Sequence, residues 1–430
     1  MPKTLASEDR ADEDRAKTKT KGRGRTSIAA MDRRELIFGT QTLLIATAAL
    51  FLLVLWAGNI LFRYAGETAG NDFWDAYLRA ARHLIDGQAL YMPTLLSGPF
   101  PAQTAQAYLY PPTFAWLLTP LLLIPQDIST GLWALAQGIL LGLSVWIAAT
   151  AAGARKSWRL FFLLMMAVTV FSPDMDTVIS GNVGAIIALG TALLLRSAVR
   201  DPRGDRSAGP LGVALGVLKL TPGLMLLPIL LANPRRHIPR AILATLLLIV
   251  PFFLLNAGVW FDFLRAPYNL AVGSNWYGNN LAPNVVFPYY WPGTADLAPE
   301  LRFATLALAA GLLIASLYLA RRSGGLPLAI LAASAVSLLV PGAIWTHYLT
   351  ALIPGVVFTL VRANNRWRSV IIICLLLSWP IPVMMPIFSL AAIVLMVVPL
   401  FVLWPPKAEM GLADQSSKHM AQDLQSGPAA

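Results

Sequence analysis

Leu36-Ile37-Phe38 opens a run, LIFGTQTLLIATAALFLLVLWAGNILF, that reaches Phe62 without one Asp, Glu, Lys or Arg. About 20 such residues cross a bilayer core as a helix, so the stretch predicts a membrane span. It is too long for a cleaved signal peptide and is expected to stay in the chain. Residues 1–35 ahead of it are polar, mixed in charge and without apolar periodicity, and predict a disordered cytoplasmic tail. A second polar tail of the same kind is expected over 406–430.

The texture of that first run continues. Of 430 residues, 57% are hydrophobic and 13% are charged, where a soluble domain carries roughly a quarter charged. Further apolar runs cover 110–124, 128–151, 159–172, 183–199, 210–232, 240–257, 301–320, 326–344, 347–361, 369–384 and 387–404. Runs of this length, rather than amphipathic stripes, predict an all-α fold: a polytopic transmembrane helical bundle of about 10–13 membrane helices over residues 36–405.

The net charge of +11 resembles a nucleic-acid signal, but its distribution says otherwise. The basic residues gather in short loops: Arg155-Lys156, Arg196 to Arg206, Arg235-Arg236 with Arg240, Arg321-Arg322 and Arg362 to Arg368. Short Lys/Arg-rich loops mark the cytoplasmic side, so the charge reports topology and no nucleic-acid partner is expected. Two long polar loops, 63–109 and 258–300, carry fewer basic residues and are expected outside. The run 210–232 has basic flanks at both ends and Lys219-Leu220-Thr221-Pro222-Gly223 in its middle. A helix that breaks there, enters and returns satisfies the charge rule. The run 110–124, bounded by Pro111-Pro112 and Pro125, is expected not to cross fully.

The first outer loop begins with Asn71-Asp72-Phe73-Trp74-Asp75. Trp74, Tyr77, Leu78, Ala81 and Ile85 fall at helical spacing, with Asp75, Arg79, Arg82 and Asp86 on the other side, the pattern of an amphipathic helix in the membrane surface. Asp72 at its start is a candidate for chemistry on a lipid-bound substrate. It equally fits a helix cap, with Asp75 completing a capping box.

Lys219 is the only Lys or Arg between Arg206 and Arg235. A cation at membrane depth costs at least ~2.5 kcal/mol, so it needs an anionic partner or a wet cavity. A lipid phosphate is one such partner, and snorkelling is the plainer alternative. His347, in Trp345-Thr346-His347-Tyr348, is either an interfacial residue or a group that donates to phosphate or moves a proton. Asp174, Asp176 and Asn182 fall in a polar stretch between two apolar runs, readable as a solvated turn. Asn279, Asn280 and Asn284 stand near Trp276, Tyr277, Tyr289, Tyr290 and Trp291. Amides and rings together can hold a sugar, and the same residues also make an interfacial aromatic belt. No zinc site, P-loop, dinucleotide fingerprint or nucleophile elbow is present. No cofactor is expected, and a divalent metal is left open. With Cys374 the one cysteine, no intramolecular disulfide is possible.

The order Asn71-Asp72-Phe73, Tyr77, Gly87, Leu90-Tyr91, Tyr108-Leu109-Tyr110-Pro111-Pro112 and Leu132-Trp133 resembles glycosyltransferase family 87, polytopic enzymes of the GT-C class. The resemblance continues through Gly181-Asn182-Val183-Gly184 and Lys219-Leu220-Thr221-Pro222 to Trp345-Thr346-His347-Tyr348. It implies a GT-C bundle in the plasma membrane. The implied reaction is inverting transfer of mannose or arabinofuranose from a polyprenyl-phosphate donor. The acceptor would be a hydroxyl of an envelope glycolipid or glycan at the outer leaflet. In such enzymes the acid of the first outer loop is the base, which maps to Asp72, with Asp75 the competing base. Lys219 and His347 would then meet the donor phosphate, and Asp75, Tyr110, Asn182, Asn279 and Asn280 would line the substrate. A secondary transporter or lipid-linked-sugar flippase and a non-catalytic envelope scaffold are the alternatives. Broken helices suit a transporter, although no internal duplication is visible.

Overall fold

A computed structural model describes residues 70–98, 107–272 and 280–404, apart from scattered positions within 156–170 and 379–383, together with fragments between 41 and 58. Both expected tails, most of the run Leu36 to Phe62, and Asn279 lie outside the described residues.

The architecture is all-α, as the apolar runs predict. A π-helical stretch, Asp72–Leu78, runs into the α-helix Arg79–Ile85 (α1). Then come α2 (Pro112–Leu118), which tightens to a 3₁₀ turn over Thr119–Leu123, and the long α3 (Gln126–Ala151). The short α4 (Ser172–Ser180) leads through Gly181 into α5 (Gly184–Arg200). Next are α6 (Ala208–Leu218), a 3₁₀ turn Thr221–Met225, α7 (Leu226–Ala232), α8 (Pro234–Leu248), α9 (Val250–Leu255) and α10 (Ala257–Val272). The second half holds α11 (Pro283–Tyr290), α12 (Ala298–Ala320), α13 (Leu326–Leu339), the 3₁₀ segment Thr346–Leu352 running into α14 (Ile353–Arg362), α15 (Asn365–Leu377) and α16 (Met385–Leu403).

Among the described residues four stretches are long and apolar enough to cross a membrane: Gln126–Ala151, Pro234–Leu255, Pro292–Ala320 and Met385–Leu403. Their outward faces are apolar, as a lipid solvent requires; Leu135, Leu247, Ile314 and Phe401 are all exposed. α13 is buried on every side, and Ser316 of α12 donates to the Ala329 carbonyl across that packing.

Two uncertain segments resolve. The stretch Pro112–Leu123 is only 12 residues long, about 18 Å at helical rise, too short for a ~30 Å core. Proline at both boundaries explains why: Pro111 caps its start, and Pro125 caps the next helix. The run 210–232 folds as a helical hairpin. α6 stops at Lys219, whose backbone is extended (φ −154°, ψ 132°). The chain reverses and descends through the 3₁₀ turn and α7. Gly216 and Gly223 cross so closely that a Cβ added to Gly223 would sit 2.9 Å from the Gly216 Cα. The two flanks then meet. Arg236 binds the Asp201 carboxylate and donates to the Gly204 carbonyl, and the buried His237 ring contacts the Arg203 carbonyl at 2.8 Å.

Candidate active site

Tyr77, Leu78 and Ala81 bury the inner face of the first helix, and Asp75 and Arg79 stay outside, as the spacing predicts; Phe73 is buried as well, Trp74 is only half-buried and Ile85 is exposed. The capping reading of Asp72 does not hold. Its helix has no side-chain cap, and the backbone there is π-helical, a form common at functional sites. The Asp72 carboxylate faces the other way. Its Oδ2 accepts from Asn182 Nδ2 at 2.6 Å.

Local backbone fixes Asn182 for that task. Gly181 has φ +74°, and a Cβ there would lie 2.7 Å from the Phe73 Cβ, so only glycine lets the π-helical stretch close onto this corner. Trp133 donates to the Gly181 carbonyl at 2.7 Å, and Gln137 donates to the Asn182 carbonyl. Asn182 Oδ1 accepts the Gly184 N–H at 3.1 Å at the start of α5. With the oxygen so engaged, the amide nitrogen must point at Asp72. It also donates to the Tyr110 hydroxyl at 3.2 Å, and Tyr77 donates to the same hydroxyl at 2.8 Å. Burial, then Tyr110 and Asp72 alongside, push the Tyr77 phenol well above its usual range, so it remains an O–H donor.

His347 enters from the far end of the sequence. Its Nε2 lies 3.7 Å from Asp72 Oδ2 and its Nδ1 lies 3.4 Å from Asp176 Oδ2. An imidazole thus bridges two carboxylates. Thr346 donates to Asp176 as well. Burial alone would raise the Asp176 carboxyl, but the hydrogen bonds and charge of His347, with those of Thr346, hold it below the ordinary carboxylate range. Thr177 holds the ring's backbone in place, donating to the His347 carbonyl at 2.9 Å. The Asp72 and His347 side chains are 15% and 14% exposed, so the pair is sheltered but reachable. Among the described residues no group of three His, Cys, Asp or Glu side chains gathers as a metal site.

Lys219, at the tip of the hairpin, lies over the Tyr348 ring, 3.0 Å from its centroid, and 5.6 Å from the Tyr110 centroid. Tyr110 thus has its ring near the amine and its hydroxyl on Asn182 and Tyr77.

The structure brings Asp72, Tyr110, Asn182, Lys219 and His347 together. Asp75 stands apart, exposed and paired with Arg79 at 3.7 Å. Asn280 is fully buried, and its Oδ1 accepts the N–H groups of Ala282 and Ile344 at 3.0 and 2.9 Å. Through its oxygen it ties the residue pair ahead of Pro283 to the Ile344 backbone ahead of His347, and its buried amide nitrogen is left without a partner. Asp176 is the residue that sequence reading passed over. Ser172 to Ser180 is no solvated turn: it is a helix with Asp174 fully buried and Asp176 on the imidazole.

A carboxylate oriented by an amide and an imidazole, next to a sheltered amine, is a polar centre in an otherwise apolar bundle. The sequence profile of glycosyltransferase family 87 matches residues 108–343. That is more than half of the chain, and the protein belongs to this family. The matched span holds Tyr110, Asn182, Asp176 and Lys219; Asp72 and His347 flank it. A comparison with curated proteins finds no match. The protein is therefore a membrane-embedded glycosyltransferase.

Proposed function

We propose that the enzyme transfers a sugar, mannose or arabinofuranose, from a polyprenyl-phosphate donor to a hydroxyl of an envelope glycolipid or glycan. Transfer proceeds with inversion at the outer leaflet of the plasma membrane, and residues 36–405 form the catalytic membrane domain. The reading rests on one observation: Asp72 Oδ2 is held by Asn182 at 2.6 Å and faced by His347 at 3.7 Å, under partial shelter from water.

In this mechanism the acceptor hydroxyl approaches Asp72. The carboxylate takes its proton as the oxygen attacks the anomeric carbon from the face opposite the phosphate. The carbon–phosphate oxygen bond breaks, and its electron pair leaves on the phosphate. Charge developing there is met by Lys219, which moves from its ring platform, and by His347. Asn182 and Tyr110 keep the base oriented, and Asp176 holds the His347 ring. Asp75, paired with Arg79 and exposed, is assigned a surface role at the loop and not that of base.

The test incubates purified full-length protein with polyprenyl-phosphate mannose and, separately, polyprenyl-phosphate arabinose, each with envelope lipid acceptors. One sugar should be transferred with inverted anomeric configuration. Asp72→Asn should lower kcat by about 10²–10⁴-fold, the usual worth of a general base, with donor binding and thermal stability kept. Asp75→Asn should leave turnover near wild type. Failure to transfer or hydrolyse either sugar would sink the assignment, and so would full activity in Asp72→Asn.

A further inference from the structure

A cavity of about 650 Å³ opens between α5, α6 and α8. It lies toward the end of α5 remote from Asp72. That helix begins at Gly184, against the His347 carbonyl, and ends at Arg200. At about 1.5 Å per residue its ends are ~25 Å apart, close to the ~30 Å of a hydrocarbon core. The active-site corner and Arg200 therefore lie at opposite ends of α5. The basic loops place the Arg200 face at the cytoplasmic leaflet.

The lining is divided along its length. Arg196, Arg200, Asp205 and Ser207 come from the loop end, and Leu193, Leu211, Leu247 and Leu248 supply the apolar part. Leu247 is 65% exposed, so the apolar part opens sideways, toward lipid. Neither Arg196 nor Arg200 makes an ion pair or hydrogen bond among the described residues. The neighbouring acids are already engaged. Asp201 binds Arg236, and Asp205 accepts both the N–H and the hydroxyl of Ser207, at 2.9 and 2.5 Å. Two unpaired guanidinium groups at the surface, above an apolar trough, complement an amphiphile with an anionic head.

We propose that this cavity binds an anionic glycerophospholipid of the cytoplasmic leaflet. Its phosphate sits on Arg196 and Arg200, and one acyl chain runs along Leu193, Leu211 and Leu247. The arginine end of the site lies away from the sugar-transfer centre and does not depend on which sugar is moved; its apolar end reaches Leu248, whose carbonyl accepts from Thr113.

Binding of tail-labelled phosphatidylglycerol and phosphatidylcholine to the detergent-purified full chain tests it. Phosphatidylglycerol should bind at least ~10-fold tighter, because phosphatidylcholine carries the same phosphate together with a choline cation that the two arginines repel. Arg196→Gln combined with Arg200→Gln should abolish that preference with an unchanged melting temperature. Ala214→Phe, which fills the trough and keeps both arginines, should weaken both lipids. Equal binding of the two lipids by the wild type would overturn the proposal, as would a preference that survives in the double variant. Complete displacement by millimolar inorganic phosphate would assign the arginines to a free anion and overturn the lipid. Polyprenyl phosphate binding there in place of phosphatidylglycerol would overturn it in favour of the donor's carrier.

Discussion

Asn182 decides what Asp72 can do. Its oxygen is committed to the Gly184 N–H, so its nitrogen is the group that Asp72 meets. Asn182→Asp puts a second carboxylate at the same 2.6 Å contact. Two like charges there share a proton, and one pKa rises. The acid limb of the pH profile of kcat/KM should move to higher pH in this variant, with lower activity at neutral pH. Asp176 yields a prediction of the opposite sign. Its carboxyl is held below the ordinary range, so the stability it contributes is complete above the unfolded carboxylate pKa of ~3.9 and is lost as pH falls through the folded value. Melting of Asp176→Asn should fall below wild type at neutral pH, and the gap should close below about pH 4. Sequence spacing singled out Asp72, Lys219 and His347 because each is a polar group beside apolar runs. It did not promote Asp176, whose partner Thr346 is 170 residues away. A carboxylate next to a turn-like Gly-Asn reads as solvated until tertiary packing supplies the imidazole. The capping box failed for the same reason: Asp72 is taken by a partner 110 residues on.

At the scale of elements, the hairpin was legible from charge, because basic flanks on both sides of one apolar run favour a chain that turns back between them. Its exact fold was not, since nothing in the sequence says that Gly216 meets Gly223. That contact leaves no room for a side chain. Gly223→Ala sets a Cβ 2.9 Å from the Gly216 Cα, backbone against backbone. We expect a loss of about 1–3 kcal/mol, the cost of overpacking a tight contact. It should be read as a lower thermal midpoint, together with a raised KM for the donor because Lys219 sits on the displaced tip. Asn280 illustrates the converse: its type and aromatic neighbourhood suggested sugar binding, and burial gives it to two backbone N–H groups instead.

For the whole molecule, the bundle orientation follows from the loops and can be measured. In a Cys374→Ser background, single cysteines at Arg203 and Arg235 should label from one side of the membrane only, and Gln88→Cys from the other. Labelling of Arg203 and Arg235 from different sides would mean the hairpin crosses, and the second outer loop would change faces. The glycine crossing has one more consequence. Three residues climb from Gly216 to Lys219, and four descend to Gly223. With the chain pinched at those two points, the covalent count sets how far the lysine stands beyond the crossing. A single residue inserted on either arm would change that distance while sparing every side chain of the Asp72 cluster, so the altitude of the amine is a property of chain length as well as of chemistry.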